Sequence, residues 1–257
     1  MATIINCSNL GFSYNGTEVL NGITLSITPG KMVGILGANG AGKSTLLKIL
    51  CGVLKPKSGE ALFNNKALSK MDRREIAKGI AYIPQDPMFA FPFTVNEVVL
   101  MGRAPYIGRF EFEREQDKEV AERAMETVGI IHLKNRLISE VSAGERQLAS
   151  IARGLVQEPE IMILDEPATY LDVRHRTEIM NILKELKEEK GISIIAATHD
   201  IFSSLFYFDE IMILKDGNVL AHGKADQIIN NEILSTAYGI EVIVRKENGR
   251  VFVFPNQ

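Results

Sequence analysis

Gly37-Ala38-Asn39-Gly40-Ala41-Gly42-Lys43-Ser44-Thr45 decides the reading of this sequence. The stretch fits G-x-x-x-x-G-K-[ST], the pattern of a loop that cradles phosphate groups. The apolar run Met32–Leu36 precedes it, and Thr45 to Leu50 (TLLKIL) continues it as a helix. Strand, glycine loop and helix thus follow in the order such a cradle needs. Glycines let backbone N–H groups curl around phosphate oxygens without Cβ clashes. The helix N-terminus adds unpaired donors and the positive end of its dipole. In this pattern Lys43 reaches the β and γ phosphates and the Ser44 hydroxyl takes a place on Mg²⁺. The chain is expected to bind a nucleoside triphosphate.

Working outward, short apolar runs without alternation recur at Ile80–Ile83, Ile161–Leu164, Ile192–Ala197 and Ile211–Leu214. Such runs suit strands buried on both faces, as in a parallel sheet covered by helices. From His175 to Lys190, Ile179, Ile182, Leu183 and Leu186 fall at helical spacing; Leu148, Ile151, Ala152 and Leu155 do the same from Glu145 to Gln157. The first thirty residues read instead as short alternating strands broken by Asn-Gly and Pro-Gly turns, a small antiparallel sheet. Between about Asp86 and Gln157 the strand–helix alternation stops, and helical stretches with a charged run (Glu111 to Glu122) predict an inserted helical subdomain. Glu241–Arg245 and Arg250–Phe254 flank Glu247-Asn248-Gly249, a hairpin pattern too short for a separate regulatory domain. The expected organisation is one domain, 1–257, with a core of 1–85 and 158–257 and a helical subdomain of 86–157.

Composition narrows the function classes. The net charge is −3, with 29 basic residues scattered among 32 acidic ones, which argues against a nucleic-acid partner. Cys7 and Cys51 lack metal-ligand spacing and read as two reduced thiols of a cytosolic protein. No basic-then-apolar leader opens the sequence, and no apolar run approaches the ~18 residues of a membrane span. A soluble, cytoplasmic chain is expected, with any membrane role arising through a partner.

Ile161-Met162-Ile163-Leu164-Asp165-Glu166-Pro167 reads as a buried strand ending in two carboxylates. Asp165 at that strand end can bind Mg²⁺ beside Ser44. Glu166, the next residue, is placed to orient or deprotonate a water attacking the γ-phosphate. An acidic strand end alone is a common capping feature; its coupling to the phosphate loop gives it weight.

With both motifs in hand, nearly all of the chain resembles the ATP-binding cassette (ABC) ATPases. The resemblance implies an α/β fold of the P-loop NTPase (RecA-like) type: a parallel-sheet core, an N-terminal antiparallel β subdomain and an inserted α-helical subdomain. It implies ATP and Mg²⁺ as ligands. Tyr14 sits where the family stacks an aromatic ring on adenine. Gln85 matches the glutamine that touches Mg²⁺ and joins core to helical subdomain. His199 matches the switch histidine at the γ-phosphate, and Ala168-Thr169-Tyr170-Leu171-Asp172 occupies the D-loop, ending in the expected Asp172. Singly, Tyr14 reads as a surface aromatic, Gln85 as a polar turn residue and His199 as a helix-start histidine; their order along the chain carries the reading. Glu166, His199 and Lys43 are the expected catalytic groups, and Ser44, Gln85 and Asp165 the expected metal contacts.

The signature segment departs from the family's Leu-Ser-Gly-Gly-Gln/Glu, reading Val141-Ser142-Ala143-Gly144-Glu145. Ser142, Gly144 and Glu145 remain candidate nucleotide contacts at a helix N-terminus. Ala143 adds a methyl that restricts the backbone if the position needs φ > 0, so a weakened but functional phosphate contact is expected. Tyr170 stands where the family often carries a small residue, and its ring is a candidate for packing across a dimer interface.

In this family the signature of one copy faces the phosphate loop of another, so the resemblance implies a head-to-tail homodimer closing on two ATP molecules. The apolar loop Pro87-Met88-Phe89-Ala90-Phe91-Pro92-Phe93 reads equally as a groove for a membrane partner's cytoplasmic helix and as local packing. Met101-Gly102-Arg103-Ala104-Pro105-Tyr106, followed by Gly108-Arg109-Phe110, resembles an element of ATPases serving importers of iron–siderophores, haem, vitamin B12 and related metal chelates. Its plainer reading is a helix end before a Pro-containing turn. The expected function is therefore an importer ATPase on the inner face of the membrane, with permease subunits and, through them, a substrate-binding protein as partners. Another transported substrate, or a soluble non-transport ABC protein, is the alternative.

Overall fold

The computed structural model describes residues 3–85, 87, 91–108, 111–247 and 250–255. Asp86, Met88, Phe89, Ala90, Arg109, Phe110, Asn248 and Gly249, which belong to segments read above, lie outside the described residues. A six-stranded sheet forms the centre, in the spatial order Asn218–Gly223, Glu210–Lys215, Met32–Leu36, Ser193–Thr198, Ile161–Asp165, Ile80–Ile83. All neighbours are parallel except the first pair. The phosphate-loop strand Met32–Leu36 and the acidic strand Ile161–Asp165 flank Ser193–Thr198, in the register Leu36↔Thr198 and Asp165↔Ala197. Three functional strand ends therefore open on the same edge.

The apolar runs lack alternation because each face of this sheet meets its own core. Met32, Leu36, Met162, Leu164, Ile194, Ala196, Ile211 and Ile213 point to one side, against the helices Ala143–Leu155, Val173–Lys190 and Asn231–Tyr238. Val33, Ile35, Ile161, Ile163, Ile195, Ala197, Met212 and Leu214 point to the other. There the helix Lys43–Leu50 and an antiparallel sheet cover them. That second sheet runs in the order Thr17–Ile27, Ile5–Tyr14, Ser58–Phe63, Lys66–Ala67. Its first two strands match the reading of the first thirty residues, whereas Ser58–Phe63 joins from downstream, pairing Ile5 with Phe63 and Cys7 with Ala61. Burial pushes the Cys7 thiol up to about 12 and the Cys51 thiol up to about 11, so both are poor nucleophiles.

The inserted segment holds the helices Val95–Leu100, Glu115–Thr127 and Ala143–Leu155. Arg103 fastens it. The side chain is buried, and Nε donates to Asp117 Oδ1 at 2.8 Å while Nη1 donates to Val156 O and Glu158 Oε2, both at 2.8 Å. The Tyr106 ring lies 3.9 Å under the guanidinium, and its hydroxyl donates to Gln157 O at 2.8 Å. Gly102 is required by proximity: a Cβ there would stand 2.0 Å from the Arg153 carbonyl oxygen. The segment Met101–Tyr106 thus clamps two helices to the chain that returns to the sheet. At the C-terminus Val242–Glu247 pairs antiparallel with Arg250–Pro255, the hairpin expected there.

Candidate functional site

The loop Gly37–Gly42 leaves the Met32–Leu36 strand and starts the helix Lys43–Leu50. Gly42, the residue before that helix, is left-handed at φ 100°, and an added Cβ would lie 2.9 Å from the Val19 carbonyl oxygen. Gly42 offers no side chain to cap the first turn, so its amides remain available to an anion. Lys43 folds back over the loop, donating from Nζ to Gly37 O at 2.8 Å and Ala38 O at 3.1 Å. Burial pulls its pKa down, and the neighbouring Glu166 and Asp165 carboxylates partly restore it.

Ser44 Oγ donates to Asp165 Oδ1 at 3.0 Å, joining the helix start to the acidic strand end. Burial raises the Asp165 pKa, with the Ser44 hydrogen bond opposing the shift. A hydroxyl and a single carboxylate form a hard-oxygen donor pair suited to Mg²⁺ that is also held by phosphates. Among the described residues no cluster of three His, Cys, Asp or Glu could hold a metal by itself.

Glu166 has a left-handed backbone, φ 50°, while its N–H donates to Ala197 O at 2.9 Å. Its carboxylate is the meeting point of the site. Oε2 accepts from Thr169 Oγ1 at 2.8 Å and Gln85 Nε2 at 3.3 Å, and His199 Nδ1 lies 3.1 Å away. Lys43 Nζ is 3.9 Å from Oε1. These groups line an open cleft of about 720 Å³ together with Asn39, Gly40, Thr45, Val19 and Tyr170.

The structure therefore brings together the phosphate loop, Gln85, Asp165, Glu166 and His199. Other candidates stand apart. Tyr14 lies on the antiparallel sheet, half exposed, with its ring edge-on to Phe12 at 4.8 Å; Val19 on the next strand lines the cleft on that side. Asp172 caps the helix Val173–Lys190, accepting from the His175 amide at 2.9 Å. Ser142 caps the helix Ala143–Leu155 in a reciprocal box: the Glu145 amide donates to Ser142 Oγ at 3.3 Å, and the Ser142 amide to Glu145 Oε2 at 2.7 Å. Those bonds hold the Glu145 carboxyl below its usual range.

Ala143 corrects an expectation. It is the first residue of that helix and not among the positive-φ residues, so its methyl imposes no left-handed strain. The glycine requirement falls on Gly144, where a Cβ would lie 2.6 Å from His175 Cδ2. Ala143, Arg146 and Gln147 face Gln85, Glu166, Thr169 and Tyr170 across a second cleft of about 460 Å³. Thr169 was not singled out from sequence. The signal was present: a hydroxyl three residues after a carboxylate, across a turn containing Pro167, is suited to a local side-chain bond.

Comparison with known proteins accords with this geometry. The family model described as ABC transporter matches residues 20–169. An uncharacterized ABC transporter ATP-binding protein of Methanocaldococcus jannaschii, MJ0089, is 36% identical over 98% of this chain and 98% of its own length. A probable siderophore transport system ATP-binding protein of Bacillus subtilis, YusV, is 32% identical over 95% of this chain and 88% of its own. Among solved structures, an ABC transporter described as of metal-chelate type, in an inward-facing conformation, superposes with a TM-score of 0.88 at 25% identity, covering 100% of this chain and 98% of that one. The dimeric ATP-binding cassette MJ0796, bound to ADP and Pi, superposes with a TM-score of 0.72 at 28% identity over 86% of this chain and 98% of that one.

Proposed function

The chain belongs to the ABC transporter family, and we propose that within it this ATPase drives uptake of a metal chelate such as an iron–siderophore, haem or cobalamin. As an ABC ATPase it binds ATP. The observation that carries the catalytic reading is the convergence of Lys43, Gln85, Thr169 and His199 on the Glu166 carboxylate beside the phosphate loop. In this reading the loop amides and Lys43 hold the phosphates, Glu166 orients the attacking water, and His199 faces the γ-phosphate. Ser44 and Asp165, with Gln85 nearby, would hold Mg²⁺, which when bound neutralises charge on the β and γ oxygens. Tyr14 is proposed to lie against the base.

The position of Ser142, Gly144 and Glu145 supports a site shared between two copies. Their helix turns Ala143, Arg146 and Gln147 toward a cleft beside Glu166, and none of Ser142, Gly144 and Glu145 lines the cavity of their own phosphate loop. A second copy in head-to-tail arrangement would bring its signature helix N-terminus to this loop, with Tyr170 and Asp172 at the seam. Relatives named as siderophore and metal-chelate systems support the cargo class, as does the Arg103 element. Permease subunits, and a substrate-binding protein beyond them, would then seat the dimer on the inner face of the membrane. No helix among the described residues is long and apolar enough to cross one. Core 1–85 and 158–257 and helical subdomain 86–157 are proposed as the working units.

Three experiments test this. Glu166→Gln with saturating Mg-ATP should elute from a sizing column as a nucleotide-bound dimer; monomer alone would sink the shared-site reading. Co-purification from membranes with a polytopic subunit, and loss of chelate uptake on deletion, test the cargo; unchanged uptake would favour another substrate or a soluble role.

A further inference from the structure

Thr169 lines both the nucleotide cleft and the cleft that opens toward the signature helix. Its hydroxyl makes the shortest of the three contacts to Glu166 Oε2, and its amide donates to Glu166 O at 3.2 Å. Gln85 and His199 reach the carboxylate from other strand ends, whereas Thr169 sits on the same turn as Glu166. The left-handed backbone of Glu166 is sterically costly and persists where surrounding bonds over-determine it. The Ala197 carbonyl pins one side of that turn and the two Thr169 bonds close the other. Tyr170, the next residue, is 90% exposed. Anything seated on Tyr170 would act on Glu166 through a single neighbouring residue.

We propose that Thr169 is a positioning residue for Glu166: its hydroxyl holds the carboxylate in the cleft, so turnover depends on it while nucleotide binding does not. This rests on the reading of Glu166 as the group that handles the attacking water. Thr169→Val keeps the shape and removes the donor; Thr169→Ser keeps the donor. Steady-state ATPase rates and titration with a fluorescent ATP analogue, on the purified full chain, read the effect. Thr169→Val is expected to lower kcat about tenfold, a barrier increase of about 1.4 kcal/mol. KM and analogue affinity should stay within about twofold, and Thr169→Ser should restore kcat to within about twofold. Combined with Glu166→Gln, Thr169→Val should cost nothing further, because both act through one carboxylate. A wild-type kcat in Thr169→Val, a fully additive double variant, or a parallel loss of nucleotide affinity would each overturn the proposal. Should thermal unfolding show the Val variant misfolded, Thr169→Ala measured the same way decides. Wild-type turnover by Glu166→Gln alone would instead refute the reading of Glu166.

Discussion

Two neighbours in the signature segment answer to different constraints. Ala143 is exposed in the first helical turn, and Gly144 is buried with no room for a Cβ beside the root of the His175 ring. Ala143→Gly should therefore leave ATP affinity unchanged and cost up to ~1 kcal/mol of stability in urea unfolding. Gly144→Ala should cost about 1–3 kcal/mol in the same assay, since the ring cannot swing clear without moving its Cβ. From sequence a cost at Ala143 was conditional on φ > 0 there, and a motif records residue types and not the φ each must adopt. The phosphate loop was legible for the opposite reason: its pattern is a list of positions where backbone amides must turn inward. Lys43→Ala should lower turnover about 10²–10³-fold in a steady-state ATPase assay, as loss of a donor at developing negative charge does elsewhere.

Among the elements, the clamp around Arg103 governs how firmly the inserted helices are held. Its pair with Asp117 is buried on both sides, with side chains 7% and 9% exposed. Arg103→Ala strands that carboxylate and should lower stability by about 3–5 kcal/mol in denaturant unfolding. Acid should act on the same helices. Backbone and side-chain bonds at helix starts hold Asp117, Glu97 and Glu145 below their ordinary range, in each case chiefly through an N–H donor. A carboxyl depressed in the fold stabilises it above its unfolded pKa of about 4, and that contribution is lost as pH falls through the folded value. Stability measured by helical circular dichroism should therefore decline from about pH 5 downward. Little of this was visible in the bare sequence. Met101–Tyr106 carried a family likeness, while its partners Asp117, Val156 and Glu158 lie far along the chain. The strand Ser58–Phe63 escaped notice for a related reason: its first three residues are exposed, and its pairing partner is some fifty positions away.

At the scale of the whole molecule, the parallel sheet was readable because both of its faces are buried, which turns each strand into an unbroken apolar word. The signature half of the proposed shared site was readable only through family likeness, since among the described residues Ser142 does not line the cleft of its own phosphate loop. If two copies share each site, specific ATPase activity of the purified protein should rise with its concentration and then level off. Constant specific activity from nanomolar to micromolar protein would show that one chain suffices. Tyr170→Ala should leave unfolding of the single chain within about 0.5 kcal/mol, its ring being almost wholly exposed, while moving that activity curve to higher concentration.

The inserted helices join the sheet at two places, after Ile83 and before Ile161, and these residues belong to strands that lie side by side. Ile80 pairs with Ile161 and Ile83 with Leu164, so the two attachments sit at opposite ends of one strand pair, about 10 Å apart. A body pinned at two points swings about the line between them, like a door on its pintles. Here that line runs along the strands. Of the two pintles, the one near Glu158 is bolted by Arg103, and the other carries Gln85, whose amide already touches Glu166. Any rocking of the door would be felt first at the lighter pintle, where the Glu166 carboxylate is in reach.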